Sequence, residues 1–247
     1  MKVDSIQRRE QRTGWILVLP GLIMLLLVFA YPILRAFWLS FYTQNLGTQL
    51  QRIFSGFSNY QRMIGDGRFW QIMWNTTIFT ASSVILELIL GIAVAMVLNQ
   101  AFRGRGIVRT ITLMPWALPT ALMGIAWAWI FNDQYGVIND ILRRLGIIET
   151  GISWLSNAVL AMVAVVSADV WKTTPFVAIL LLAGLQSISN DLYEAHAIDG
   201  ASHWQSFRKI TLPLLMPQIV IAVLFRFAQA FAIFDLIQVM TGGSHSS

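Results

Sequence analysis

Five long apolar stretches, separated by short polar segments, set the pattern of this chain. They cover residues 14–34, 72–98, 110–131, 157–185 and 212–234. Each stretch is close to or longer than the roughly 20 residues that a helix needs to cross the hydrocarbon core of a bilayer. We therefore predict an all-α polytopic membrane protein with five transmembrane helices.

Composition and charge narrow this prediction. Hydrophobic residues make up 56% of the chain and charged residues only 12%, whereas soluble domains average about 25% charged residues. The sequence has no cysteine, and its three histidines are scattered, so we expect neither disulfides nor a metal site. No basic cluster interleaved with aromatic residues accompanies the net charge of +5, so we expect no nucleic-acid partner.

The distribution of Lys and Arg predicts the orientation in the membrane. The N-terminus together with residues 100–110 and 186–212 holds nine of them, against six in residues 35–71 and 132–157. Because cytoplasmic loops carry the positive excess, we expect residues 1–13 to form a cytoplasmic segment and residues 14–247 a transmembrane domain. Residues 57–71 then lie outside, where their aromatic and apolar residues predict a short interfacial element.

The polar segment between the fourth and fifth stretches contains two helix-start signals and a glycine. Asp191 is followed three residues later by Glu194, and Ser202 by Gln205, which is the spacing of a capping box. Gly200 stands between the two, and glycine commonly ends a helix. We predict two short helices that form a compact docking element. An ordinary amphipathic loop is the other interpretation that the residues allow.

Charged residues inside the apolar stretches indicate a polar interior. Asp169 and Lys172 are three residues apart on one helix turn, so we expect them to form an ion pair. Thr173 and Phe176 continue the same helix face. Charges at this depth usually face a bundle interior or a cavity. For Glu87, the one charge in the second stretch, we expect a structural role, either in an interhelical network or as a buried neutral carboxyl.

The polar segment also carries a family resemblance. The motif E-A, then G, then I-x-L-P within residues 194–213 resembles the EAA loop of permease subunits from binding-protein-dependent ABC importers. His196 departs from the pattern, since the family usually has a small residue there. The stretches FSNYQRMIGDGRFWQIMWNTTIFT, WKTTPF and FDLIQVMTGGS resemble the sugar-importer branch, which includes maltose, trehalose and glycerol-phosphate permeases. The resemblance covers almost the whole chain and implies the helical bundle of a type I ABC importer permease.

This resemblance implies that the work is divided between subunits. The EAA loop docks on a cytoplasmic ABC ATPase dimer, so ATP and Mg²⁺ belong to that partner. This chain has no G-x-x-x-x-G-K-[ST] sequence and is expected to be neither an enzyme nor the holder of a cofactor. An extracytoplasmic solute-binding protein and a second permease subunit, in this branch usually a paralogue, complete the importer in the cytoplasmic (inner) membrane. The implied ATPase-coupling residues are Asp191, Glu194, Ala195, His196, Ala197, Asp199, Gly200, Ile210, Leu212 and Pro213.

The resemblance further implies a substrate pathway and an additional helix. In the sugar branch, the helix before the EAA loop lines the pathway and the next helix provides the matching wall. The implied pathway residues are Asp169, Lys172, Thr173, Phe176, Arg226, Gln229 and Ile233. A structural ion pair surrounded by packing residues is the other interpretation of these positions. Family members continue past the Thr-Gly-Gly turn into a sixth helix, so we expect the sequence to be truncated at its C-terminus.

Two other functions are compatible with a polytopic membrane protein. An ion-coupled secondary transporter would account for the intramembrane carboxylates, but it predicts inverted repeats with paired broken helices, which the sequence does not show. A membrane-embedded enzyme predicts histidines or carboxylates clustered near one interface, and the histidines are dispersed. Among solutes, a disaccharide, an oligosaccharide, a polyol glycoside and glycerol phosphate all fit the sequence.

Overall fold

The structure, a computed structural model, describes residues 2–43 and 52–242, with side chains from residue 10 onward. The chain divides into two units, residues 1–71 and 72–247. Helices dominate the described part of both units. The last residues of the FDLIQVMTGGS stretch, from residue 243 on, lie outside the described residues.

The first unit begins with a long apolar helical stretch. Its elements are α1 (Lys2–Leu25), a π-helical segment (Leu26–Ala30), α2 (Tyr31–Leu39), the antiparallel pair β1 (Tyr42–Thr43) and β2 (Ile53–Phe54), and α3 (Ser58–Gly65). The apolar helix is long enough to cross a membrane over Glu10–Leu39, which extends the predicted first stretch in both directions. The short element predicted within residues 57–71 contains the helix α3, where Asn59 Nδ2 donates to the carbonyl oxygens of Ser40 (2.8 Å) and Tyr42 (3.0 Å).

The second unit is a bundle built around three long helices. Its elements are α4 (Gly67–Asn99, which begins in the first unit), α5 (Arg105–Ala117), α6 (Thr120–Ile130), α7 (Val137–Arg144), α8 (Ala158–Gln186), α9 (Asn190–Ile198), α10 (His203–Ser206), a π-helical segment (Phe207–Thr211), α11 (Leu212–Phe231) and α12 (Asp235–Thr241). Helices α4 and α8, and the helix that runs from His203 to Phe231, are long and apolar enough to span a membrane. They confirm the predicted second, fourth and fifth stretches as helices.

The predicted membrane stretch at residues 110–131 is not one continuous helix. Helices α5 and α6 are bent by 90° at a short break, and they count as one span only if the bent pair is taken together. Proline explains the break. Leu118 precedes Pro119 and is extended, with φ −71° and ψ 138°, because the proline ring disfavours helical backbone in the preceding residue. The described part of the chain therefore has four long apolar helices and one broken pair.

The end of the fifth predicted helix also differs from the sequence prediction. Helix α11 ends at Phe231, and α12 begins at Asp235 after a three-residue break. Ile233 therefore lies outside α11 and does not share a helix face with Arg226 and Gln229. Ile233 and Phe234 lie in the break itself, and both line the cavities described below.

The core of the second unit consists of two apolar clusters separated along the helix axes. One contains Phe79, Met123, Ala168, Ala230 and Leu236 among others. The other contains Leu98, Val177, Leu181, Leu215 and Ala222 among others. The buried charges of α4, α8 and α11, which are Glu87, Asp169 and Arg226, lie where one cluster gives way to the other. A charged layer therefore crosses the middle of an otherwise apolar bundle.

Small residues allow the three long helices to approach each other closely. A Cβ at Gly91 of α4 would lie 2.6 Å from Val177 Cγ1 of α8, and a Cβ at Gly184 of α8 would lie 2.8 Å from Leu215 Cδ1 of α11. Both distances are too short for a side chain without movement of the neighbour. Close backbone approach at small residues is characteristic of helix packing in membranes, where burial of apolar surface does not itself drive association.

Candidate functional site

Three charged side chains from three different helices meet in the middle of the bundle. Glu87 of α4 has no exposed surface, and Asp169 of α8 and Arg226 of α11 are each 3% exposed. Arg226 donates from Nε to Glu87 Oε2 at 2.5 Å and from Nη2 to Glu87 Oε1 at 2.8 Å. Its Nη2 also donates to Asp169 Oδ2 at 2.9 Å. We call these three residues the charged triad.

Further hydrogen bonds satisfy most of the remaining donors and acceptors of the triad. Arg226 Nη1 donates to Gln229 Oε1 at 2.9 Å, so four of the five guanidinium N–H groups are in use. The Thr173 hydroxyl lies 2.5 Å from Glu87 Oε1 and 2.6 Å from the Asp169 carbonyl oxygen. A buried charge is tolerated when it is paired and hydrogen-bonded. The structural, interhelical role predicted for Glu87 is confirmed by these contacts.

The predicted ion pair between Asp169 and Lys172 is wrong. Asp169 is engaged by Arg226, and Lys172 Nζ instead donates to Thr120 Oγ1 of α6 at 2.5 Å. The reason is tertiary: the break between α5 and α6 places a hydroxyl within reach of the lysine, while α11 brings the guanidinium of Arg226 within one hydrogen bond of the Asp169 carboxylate. Neither partner is near α8 in sequence, so spacing along one helix could not reveal them.

A cavity of about 340 Å³ adjoins the triad. Its volume lies within the range of small-molecule sites, roughly 300–1,000 Å³. Six of the seven predicted pathway residues line this polar cavity. The lining residues are Trp116, Thr120, Asp169, Lys172, Thr173, Arg226, Gln229, Ala232, Ile233, Phe234 and Asp235.

Phe176, the seventh predicted pathway residue, lies behind the cavity wall. Its ring stacks on the ring of Trp116, with centroids 5.5 Å apart and planes 18° apart, and Trp116 lines the cavity. Sequence reasoning missed Trp116, Thr120 and Phe234. The available signal was Pro119, which breaks the helix at the preceding residue, Leu118. Trp116 and Thr120 flank this break, and both line the cavity.

The cavity residues differ in how much surface they offer to a bound molecule. Asp169 and Arg226 are almost fully buried by their mutual contacts, whereas Lys172 is half-buried and Gln229 is exposed. Lys172, Gln229 and Thr120 therefore provide accessible donors and acceptors, and Trp116 provides an aromatic ring. The arrangement combines a buried tie between helices with a more accessible polar wall.

A second cavity, of about 320 Å³, lies between α4, α8 and α12. Asn75, Thr76 and Gln238 provide polar groups in an otherwise mostly apolar lining. It shares Ile233 and Phe234 with the polar cavity. The break between α11 and α12 therefore forms the partition between the two cavities.

The polar segment after α8, which we call the coupling loop (residues 189–213), forms two short helices as predicted. Its first cap is not the predicted one: Ser189 is the N-cap, its hydroxyl accepts from the Asp191 amide at 3.3 Å, and Asp191 lies in the first turn. Ser189 lies directly before the helix, two residues before Asp191, and has the extended backbone that an N-cap needs. The second predicted capping box is confirmed, since Ser202 and Gln205 bond each other's backbone amides.

Gly200 ends the first short helix in a left-handed conformation, with φ +76°, which glycine adopts without steric cost. His196, the departure from the family pattern, joins the two helices: its Nδ1 lies 2.9 Å from Ser206 Oγ. Tyr193 OH lies 2.9 Å from Thr211 Oγ1 and makes a second such link. The histidine is therefore accommodated by a hydrogen bond within the loop.

Most predicted coupling residues lie on the surface of the loop. Ile210 and Leu212 are half-buried, and Leu212 packs against the second apolar cluster. The exposed ones are Asp191, Glu194, Ala195, Ala197, Asp199, Gly200 and Pro213. Two large apolar side chains are also exposed there, Ile198 at 86% and Trp204 at 68%. The loop thus presents exposed apolar and acidic side chains, and the basic Arg208 and Lys209 are exposed near its end.

The described residues contain no group of three His, Cys, Asp or Glu side chains that could hold a metal ion.

Comparison with known proteins places these features in a family. The profile of the family described as binding-protein-dependent transport system inner membrane component matches residues 87–245. This range contains the charged triad, the polar cavity and the coupling loop.

Relatives with assigned names are similar over nearly the whole chain. The trehalose/maltose transport system permease protein of Thermococcus litoralis is 42% identical over 97% of this chain and 80% of its own length. The sulfoquinovosyl glycerol transport system permease protein of Agrobacterium fabrum is 41% identical, over 92% of this chain and 73% of its own. The trehalose transport system permease protein of Mycobacterium tuberculosis is 38% identical, over 96% and 76%.

A solved structure shares the fold. The crystal structure of a bacterial ABC transporter involved in the import of the acidic polysaccharide alginate contains a chain that matches with a TM-score of 0.70 at 23% identity. The match covers 92% of this chain and 75% of that chain. At this level of identity the likeness concerns the fold alone.

Proposed function

This chain belongs to the family of binding-protein-dependent transport system inner membrane components, and we propose that it is the permease subunit of an ABC importer for a sugar or a sugar-like neutral solute. The observation that carries this proposal is the polar cavity in the middle of the bundle. There Lys172, Gln229 and Thr120 offer hydrogen-bonding groups beside the ring of Trp116. Hydroxyl-rich solutes need such donors and acceptors, and an aromatic ring packs against their apolar faces.

Charge supports a neutral solute. Two cations, Lys172 and Arg226, face or adjoin the cavity together with three carboxylates, those of Glu87, Asp169 and Asp235. The carboxylates outnumber the cations, and Arg226 has only one N–H group left after its bonds to the triad and Gln229. This wall therefore has no surplus positive charge with which to bind an anionic group. The names of the relatives include a neutral sugar, trehalose/maltose, and a sulfonated one, sulfoquinovosyl glycerol, so the charge of the cavity wall is the ground for this choice.

The state of the buried carboxylates favours this function over an ion-coupled secondary transporter. Coupling to an ion requires an intramembrane carboxylate that exchanges its proton or cation during the cycle. Glu87 and Asp169 are both held by the guanidinium of Arg226, and Glu87 also accepts from Thr173. Carboxylates that are paired in this way suit a structural tie between helices. The energy for transport then comes from a partner.

We assign energy coupling to the coupling loop. It offers Ile198 and Trp204 as exposed apolar side chains beside the carboxylates of Asp191, Glu194 and Asp199. An apolar anchor with a charged rim is the usual composition of a protein-binding surface. The proposed partner is a cytoplasmic ABC ATPase dimer, which supplies ATP and Mg²⁺, so this chain is not itself an enzyme and requires no cofactor of its own.

The remaining parts of the proposal follow from family membership. The chain is a multi-pass protein of the inner membrane with a cytoplasmic N-terminus, since the coupling loop and the N-terminal segment fall on the same side in the predicted topology. A second permease subunit, in this branch a paralogue, completes the pathway, and an extracytoplasmic solute-binding protein delivers the solute. Residues 1–13 form the cytoplasmic segment and residues 14–247 the transmembrane permease domain.

The test is ATP-driven uptake in vesicles that contain this chain with its ATPase, its permease partner and its binding protein. Ala195→Glu places a bulky charge on the exposed face of α9 and is expected to abolish both uptake and solute-stimulated ATP hydrolysis. Ala101→Glu is the matched control, because Ala101 is also exposed, in the loop between α4 and α5, and it should leave both activities unchanged. Membrane insertion should be normal in both variants.

The class of solute is determined by competition experiments on the unaltered complex. Unlabelled neutral disaccharide should compete with labelled disaccharide uptake, and a phosphorylated disaccharide of the same skeleton should not. Equal competition by the anionic sugar would contradict the neutral-solute assignment. Full stimulated hydrolysis in Ala195→Glu would contradict the docking role of the loop.

A further inference from the structure

Helix α7 exposes a stripe of apolar side chains outside the long helices. Val137, Ile141 and Leu145 recur every four residues and are 54%, 47% and 67% exposed. Spacing of four keeps them on one side of the helix. The helix belongs to the segment that joins α6 to α8, at the end of α8 opposite to the coupling loop. A stripe of this kind would be unfavourable in contact with water.

The other side chains of α7 divide the rest of its circumference into two sectors. Ile138 and Leu142 are partly buried, and Ile138 packs against the first apolar cluster. A polar sector of Asp140, Arg143 and Arg144 occupies the opposite side. At 100° per residue, the exposed apolar stripe lies between the core-facing sector and the polar sector. A helix that packs on its own protein and otherwise contacts only water needs two sectors, one apolar and one polar. The additional exposed apolar sector of α7 indicates contact with a second apolar environment.

The exposed stripe continues a surface of α6. Leu122, Ile125 and Trp129 of α6 are exposed along one side of this apolar helix, which forms part of a membrane span together with α5. The Trp129 ring meets the ring of Tyr135 edge-on, with centroids 6.3 Å apart. Trp and Tyr concentrate where a membrane protein passes from hydrocarbon to headgroups. The lipid-facing surface of α6 therefore passes through this aromatic pair to α7.

Asn139 fixes the rotation of α7 about its axis. This side chain is fully buried, and its Nδ2 donates to the carbonyl oxygens of Asp133 (3.1 Å) and Ile152 (2.9 Å). Its Oδ1 accepts from Trp154 Nε1 at 2.9 Å. The bonds hold the helix to both ends of its connecting segment. Val137, Ile141 and Leu145 therefore cannot turn inward, and their exposure is built into the fold.

We propose that α7 lies in the membrane interface as an amphipathic anchor, with phospholipid as its partner. Val137, Ile141 and Leu145 enter the upper acyl region. Arg143 reaches the headgroup phosphates, and Arg144, which pairs with Asp140 at 2.9 Å, lies beside it on the polar side. Interfacial helices combine an apolar face with a cationic polar face in this way, and long basic side chains extend from apolar surface to the headgroups. Through Asn139, the anchor is joined to the segments that lead out of α6 and into α8.

The experiment uses the absence of cysteine from the sequence. Single cysteines at Val137, Ile141, Leu145 and Arg143 carry a nitroxide in the full chain, reconstituted in vesicles of phosphatidylcholine and phosphatidylglycerol. Frequent collision of the nitroxide with molecular oxygen indicates a position in hydrocarbon. Frequent collision with a water-soluble nickel chelate indicates exposure to water. Leu122 on α6 serves as the membrane reference. We expect the three stripe positions to resemble Leu122, favouring oxygen, and Arg143 to favour nickel.

Two results would overturn the proposal. If the stripe positions and Arg143 were equally accessible to nickel, α7 would lie in water. If the stripe positions were poorly accessible to both reagents in the assembled importer, the face would be covered by protein, either the second permease or the binding protein. Repeating the measurement on the full chain alone, and then with its partners, separates lipid contact from subunit contact.

Discussion

The charged triad and the coupling loop are both polar regions of an apolar chain, but they are held together over very different sequence distances. In the triad, Arg226 reaches Glu87 across 139 residues and Asp169 across 57. In the coupling loop, Ser202 and Gln205 bond each other across 3 residues, and His196 meets Ser206 across 10. The triad is also buried among three helices, whereas the loop is mostly exposed.

This difference determines what happens when one partner is removed. A triad member that is lost leaves another charge buried in a region of low dielectric, where water cannot replace the missing bond. A hydrogen-bonding group that is lost from the loop leaves its partner close to solvent, so water substitutes for much of the bond. We therefore expect large, global effects from the triad and small, local effects from the loop.

The largest effect should come from Arg226→Met. The substitution keeps most of the side-chain length but leaves Glu87 and Asp169 without a cation, and breaking a buried pair in this way typically costs about 3–5 kcal/mol. We expect a large drop in the thermal unfolding temperature of the detergent-solubilised chain. Arg144→Met is the matched control, because Arg144 pairs with Asp140 at 2.9 Å on the surface and such pairs contribute about 0–1 kcal/mol. Similar losses in the two variants would refute the distinction between buried and exposed charge.

A smaller effect on stability, but one that separates structure from transport, should come from Asp169→Ala and Lys172→Ala. Removing Asp169 leaves a guanidinium N–H of Arg226 unsatisfied and should destabilise the fold by about 1–3 kcal/mol. Removing Lys172, which is half-buried and bonds only Thr120 among the described residues, should change stability by no more than about 0.5 kcal/mol. Uptake should fall in both variants.

The double variant Asp169→Ala with Lys172→Ala tests whether these two residues act as a pair. Because Asp169 bonds Arg226 and Lys172 bonds Thr120, the stability losses should add and uptake should stay low. Thermal unfolding and uptake measured on all four proteins complete the cycle. Substantial recovery of either quantity in the double variant would mean that Asp169 and Lys172 form the ion pair that their spacing on α8 suggested.

The same difference in sequence distance explains what could be predicted from the sequence. The coupling loop depends on signals a few residues apart, so its two helices, its glycine end and its second capping box were predicted correctly. Even the error there, Asp191 in place of Ser189 as the first cap, is a shift of two residues. The positions of the long helices were likewise predictable, because hydrophobicity is a property of continuous segments.

The contacts of the triad could not be predicted in this way. The charges of Asp169, Lys172 and Arg226 were recognised as inward-facing, but the partner of each depends on the relative positions of α4, α6, α8 and α11. One sequence contains no information on how far one helix slides along another. The break between α5 and α6 compounds the problem, because it brings Thr120 to Lys172 and Trp116 to Phe176 from a segment that hydrophobicity alone represents as one helix.

The smallest effect should come from Ser202→Ala in the coupling loop. The Ser202 hydroxyl accepts from the Gln205 amide at 3.3 Å, and Gln205 Oε1 accepts from the Ser202 amide at 2.7 Å. Loss of an N-cap hydroxyl typically costs about 1 kcal/mol, which corresponds to about fivefold faster hydrogen exchange at the start of α10. Ser189→Ala is the matched comparison, since the Ser189 hydroxyl likewise accepts one capping bond, from the Asp191 amide at 3.3 Å. We expect a change of similar size there, confined to α9, and no measurable change in exchange near the triad in either variant. Faster exchange around Glu87 or Arg226 would show that the loop and the triad are energetically coupled, and would contradict the separation of local from long-range stabilisation in this bundle.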